Sequence, residues 1–78
     1  MSSFEKVQMI VSEIMEVPIE GVNINSQKYD FENWDSLNQL NLVMEIESKF
    51  NISLNLDEMA EINSIQDILE IVDKYTSA

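Results

Sequence analysis

The chain has 78 residues, 45% of them hydrophobic, with one Gly, one Pro, no Cys and no His, and fifteen Asp and Glu against four Lys for a formal charge of −11. That length makes one domain, expected to span 1–78, near the smallest size at which an apolar core holds a fold unaided, and the lack of turn residues points away from β architecture and toward an all-α class. The charge repels nucleic acid and anionic membrane, and without Cys or His there is no disulfide, no thiolate, no usual triad base and not the commonest zinc ligand.

Phe4, Val7, Val11, Ile14 and Met15 recur on one face, which predicts a first helix from about Ser3 to Glu16. Ser2 with Glu5 three residues on fits a capping box. Pro18 stops this helix and Gly21 supports a turn after it. From Val17 to Asp35 no helical period persists, and the spacing predicts a long ordered loop pinned by Val22, Ile24, Tyr29, Phe31 and Trp34, with room for a short helical turn inside it. A second helix is expected from Ser36 to about Phe50, with Asp35 as N-cap and Asn51 as a left-handed C-cap. Ile52, Leu54 and Leu56 alternate as an extended connector, Asp57 to Ile62 form one or two helical turns, and Ser64 with Asp67 opens a last helix striped by Ile65, Ile68, Leu69, Val72 and Tyr75. The expected architecture is a small four-helix bundle: three main helices, one short helix, and a long loop between helices 1 and 2.

No apolar run approaches the roughly 20 residues of a membrane span. The first residues lack a basic region followed by an apolar stretch, so no signal peptide is expected and a cytoplasmic, monomeric protein is. The acidic surface should meet basic protein patches rapidly and with marked salt dependence.

Set out at about 100° per residue, the second helix has two apolar groups. Leu42, Val43, Ile46 and Phe50 form one and are assigned to the core. Leu37, Leu40 and Met44 form the other, while Asn38, Asn41, Glu45 and Ser48 make a polar face. One stripe suffices to join a bundle, so either the long loop covers the second group or it is an exposed docking strip with Met44 supplying adaptable contact. Ser36 stands in the first turn, where free backbone N–H groups and the helix dipole favour an attached phosphate, although position alone is also ordinary for a serine. The charge of Asp35 caps the helix but repels a phosphate.

Trp34-Asp35-Ser36-Leu37, then Leu42-Val43-Met44-Glu45-Ile46-Glu47, then Phe50-Asn51-Ile52, resembles the acyl carrier protein family, and the likeness covers nearly the whole chain. The resemblance implies that Ser36 carries 4′-phosphopantetheine, attached through a phosphodiester by a separate phosphopantetheinyl transferase that uses coenzyme A and magnesium. Asp35 and Leu37 complete the motif. It implies that Leu37, Leu40, Met44 and Glu47, with Glu45 nearby, face the acyl-loading ligase or acyltransferase and the synthase enzymes, through basic docking patches. It also implies a role without catalysis, in fatty acid, polyketide or another specialised acyl-transfer pathway, and an apolar interior that could shelter an acyl chain. The chain departs from carriers of bacterial fatty acid synthesis, which are commonly acidic where Asn38, Asn41, Ser48 and Lys49 stand here. Trp34 looks more like carriers of specialised pathways.

An aminoacyl or peptidyl carrier would use the same arm, but Phe31-Glu32-Asn33-Trp34 offers none of the glycines usual in that approach. A D-alanyl carrier is a further alternative, and an unmodified adaptor that binds a partner helix is another. Asp30, Glu32 and Asp35 fail as a calcium loop, because Trp34, Asp35 and Asn41 fall where ligands and a Gly are required. No metal site and no catalytic residue is expected.

Overall fold

Four helices are present among residues 2–76, the part described by this computed structural model: α1 (Ser3–Met15), α2 (Ser36–Phe50), α3 (Leu56–Glu61) and α4 (Ile65–Thr76). The chain is a small all-α bundle, as its periodicity predicts. Ser2 and Glu5 form the expected capping box at α1, each side chain answering the other's backbone N–H. Glu16 ends the helix in the left-handed region at φ 57°, two residues before Pro18, whose ring cannot continue a helix. Asn51 closes α2 in the same way at φ 55°, and Ser64 Oγ accepts from the Asp67 N–H at 3.1 Å to open α4.

The core lies where α1 packs on α2 and α4. Val7 and Val11 of α1, Leu42 and Ile46 of α2, and Ile68 and Val72 of α4 are fully enclosed, each contributing about 1.5–3 kcal/mol against the entropy of ordering the chain. Ile10 and Ile71 join them, one turn from the expected stripes. No helix among the described residues is long and apolar enough to cross a membrane.

The segment between α1 and α2 is ordered and holds two short 3-10 turns, Ile19–Gly21 and Lys28–Asp30. Val22, Phe31 and Trp34 pin it as expected, but Ile24 and Tyr29 do not. Ile24 sits at the apex of a turn closed by the Ser26 N–H on the Asn23 carbonyl, and Tyr29, 78% exposed, is the middle residue of the second 3-10 turn. An apex points outward, so apolar character does not bury it. The segment is fastened instead by a short backbone pairing to the approach of α4. Lys28 N–H donates to Asn63 O at 2.7 Å, and Ile65 N–H donates to Ser26 O at 3.1 Å around the bridge Gln27–Ser64. The connector after α2 also differs: Leu54 is buried, but Asn55 caps α3 one residue earlier than expected and turns Leu56 outward, 82% exposed.

α3 is fastened to α4 by a charge. The buried Glu58 carboxylate accepts from Tyr75 Oη–H at 2.5 Å, Lys74 Nζ at 2.9 Å and its own helix cap, the Asn55 N–H, at 3.1 Å. The Tyr75 hydrogen bond first, then those of Lys74 and Asn55, lower its pKa to about 2 from an ordinary 4.5. An unfolded chain therefore takes up this proton at higher pH than the folded one, so the contact's stabilisation is complete above about pH 4.5 and drains away as pH falls toward about 2. Thermal unfolding measured across that window should show a shallower loss of stability in Glu58→Gln than in the unaltered chain, and equal slopes would contradict the assignment.

Candidate functional site

The first turn of α2 is held rigidly and left open on one side. Asp35 is its N-cap, with Oδ1 accepting from the Asn38 N–H at 2.8 Å. The N–H groups of Ser36 and Leu37 have no acceptor within the helix, as helix geometry requires. Ser36 itself is exposed. Its hydroxyl thus stands in solvent at the positive end of the helix dipole, a place that suits a phosphodiester.

Side-chain amides fix this turn to the rest of the bundle. Asn33 Nδ2 donates to Met15 O at the end of α1, at 2.8 Å, and Asn38 Nδ2 donates to Asn33 O at 2.7 Å. Gln39 does most. Its Oε1 accepts from the Trp34 indole N–H at 2.5 Å, and its Nε2 donates to Met59 O and Ile62 O at 2.8 and 2.9 Å. One side chain therefore joins the long loop, the first turn of α2 and the end of α3. Midway along α1, Gln8 Nε2 reaches Val22 O at 2.8 Å and Ile19 O at 3.1 Å.

These amide ties are the residues that sequence reasoning missed. A signal existed for Gln39: at about 100° per residue it falls in the middle of the Leu42, Val43 and Ile46 stripe. A polar side chain in a core stripe needs buried partners.

The second apolar group of α2 lies open. Leu37, Leu40 and Met44 are 68%, 53% and 58% exposed, so the long loop does not cover them. The core is complete on the opposite side of the helix, and Phe31 and Trp34 turn the loop inward, their tilted rings packed with centroids 5.8 Å apart. Glu45 is exposed beside the strip. Glu47 is half-buried, and its Oε2 accepts from the Leu54 N–H at 2.9 Å, so it closes the turn after α2. Asp30 likewise accepts from the Gln27 N–H at 2.8 Å, and among the described residues no group of three or more acidic side chains is placed to hold a metal ion.

Replacing Gln39 by Ala would strand the Trp34 N–H and two carbonyls, at a cost of about 2–3 kcal/mol. Denaturant unfolding followed by emission of Trp34, the chain's one tryptophan, should show that loss together with a red-shifted folded state. An unchanged midpoint and spectrum would contradict the role given to Gln39.

Comparison with known proteins places this geometry. The family model described as phosphopantetheine attachment site matches residues 5–72. The chain is 32% identical over 74 residues to an acyl carrier protein of Campylobacter concisus, covering 95% of this chain and 96% of that one. It is 32% identical over 73 residues to one of Helicobacter hepaticus, covering 94% and 96%. It is 33% identical over 75 residues to one of Guillardia theta, covering 96% and 93%.

Proposed function

The chain belongs to the family of phosphopantetheine attachment domains, and from that membership we propose that Ser36 is the residue esterified by the arm. As an acyl carrier it bears a covalent 4′-phosphopantetheine and catalyses nothing itself. The bound group supplies a terminal thiol on a flexible arm, to which acyl groups are joined as thioesters. The carrier deals in general with a phosphopantetheinyl transferase and with acyl-handling enzymes.

The observation that carries the assignment is the exposed hydroxyl of Ser36 in the first turn of α2, beside N–H groups that have no helical acceptor. Asp35 directs its carboxylate to the Asn38 N–H, which holds that charge within the cap and leaves the serine side of the turn to the phosphate. Gln39 and Asn38 keep the turn in place while an enzyme works on it. A serine that a transferase must reach gains from a rigid mount and an open approach.

The residues that meet those enzymes are Leu37, Leu40 and Met44, with Glu45 at their side. Glu47 contributes from the edge of the face, chiefly by closing the turn that ends it. The chain works as one carrier domain over 1–78, as a monomer in the cytoplasm, in fatty acid, polyketide or another specialised acyl-transfer pathway. Polar Asn38, Asn41 and Ser48 and basic Lys49 in place of acidic residues on α2, and Trp34 before the motif, favour a specialised one.

Co-expression with a broad-specificity phosphopantetheinyl transferase should raise the intact mass by one prosthetic group. Ser36→Ala, which alters an exposed side chain, should fold equally well and gain nothing. A wild-type chain of unchanged mass would overturn the assignment.

A further inference from the structure

We propose that Gln39 closes the bundle to the cargo, so that this carrier holds its acyl group outside the core and takes groups small or polar enough to stay in water. The inference rests on Ser36 bearing the arm. Resemblance to acyl carriers implies an interior that shelters an acyl chain, and the ties around Gln39 oppose that use of it.

Set out at about 100° per residue, Gln39 lies about 60° around α2 from Ser36 and nearly one turn along it. That places it between the serine and the core residues Leu42, Val43 and Ile46. The far side of the helix is turned to α1, where Asn38, Asn41 and Glu45 border a groove with Ile10, Glu13 and Ile14. The short way from the serine to the core therefore leads past Gln39, on the side of α3. Across that seam Gln39 Nε2 donates to Met59 O and Ile62 O, while its Oε1 accepts from the Trp34 indole N–H. α3 is held from its other side as well, by Glu58 to Lys74 and Tyr75 of α4.

The core behind the seam is filled, for Leu42, Ile62, Ile65 and Ile68 have no exposed surface. An acyl chain enters only by parting the Gln39 bonds, which strands one N–H and two carbonyls, and by displacing packed side chains. A short chain buries too few methylenes to offset both. A long apolar tail kept outside stands in water, an unfavourable state for a free carrier. The cargo that fits is a small or polar acyl group.

The test loads the full chain from acetyl-coenzyme A and from octanoyl-coenzyme A with a broad-specificity transferase, then follows cleavage of each thioester by hydroxylamine. In the wild type the octanoyl-to-acetyl rate ratio should match that of the two coenzyme A thioesters within about twofold. The thermal midpoint and the Trp34 emission should be the same for both loaded forms. In Gln39→Ala, which opens the seam and leaves space, the octanoyl thioester should be cleaved about fivefold more slowly than that ratio predicts. The octanoyl form of this variant should also melt above its acetyl form, a comparison unaffected by the variant's lower basal stability. A wild-type octanoyl thioester that is protected, or that raises the midpoint, would overturn the closed seam. So would a Gln39→Ala chain that shelters octanoyl no better than the wild type. A chain that gains the loaded mass yet behaves in those ways defeats the closed seam alone, whereas one that gains no mass defeats the carrier reading with it.

Discussion

Much of this molecule turns on the side chain of Gln39. It occupies a core position of α2 where an aliphatic residue would pack, and it answers three buried backbone or side-chain groups instead: the Trp34 indole N–H and the carbonyls of Met59 and Ile62. Removing such a partner costs far more than the net worth of the bonds it makes, because the stranded groups stay buried. The long loop, the first turn of α2 and the end of α3 are thereby set in one arrangement. Without this tie, α3 would be held by its pairing through Glu58, by Met59 against the core, and by the buried Leu54 and Ile62 that flank it.

A second consequence concerns what is left outside. α2 completes the core with Leu42, Val43 and Ile46 on one side, so Leu37, Leu40 and Met44 have no structural duty on the other. Exposed apolar side chains in a row are costly in solvent, and these three lie next to a serine at a helix start. The bundle thus presents a small uncharged face on an otherwise strongly acidic body.

What could be read in the sequence was local. Ser2 with Glu5, Asp35, Asn51 and Ser64 with Asp67 are short-range signals, and each marks a real helix boundary. The stripes on α1, α2 and α4 follow from a period of 3.6 and were legible for the same reason. Ile24 and Tyr29 misled because apolar character says nothing about which residue becomes a turn apex. Glu58 was hidden in an acidic run, since only the folded chain brings Lys74 and Tyr75 to it from sixteen and seventeen residues away. The amide ties are illegible for the same reason: Asn33 to Met15 and Gln39 to Met59 span eighteen and twenty residues with no repeating pattern. Ser36 was legible only through its motif, because a serine at a helix start is otherwise commonplace. Its exposure is what the fold adds.

At the centre of this account is the claim that one hydroxyl, that of Ser36, is offered for esterification. Ser3 opens α1 as Ser36 opens α2 and is also exposed, but the residues that match Leu37 and Leu40 are Phe4, half-buried, and Val7, fully buried, so no apolar strip lies open beside it. Ser48 and Ser53 are exposed away from any helix start, and Ser26 and Ser64 are buried. Tandem mass spectrometry of the loaded, proteolysed chain separates these directly. A single modified site is expected, at Ser36; a pantetheine phosphate found on Ser3, Ser48 or Ser53 would contradict that assignment.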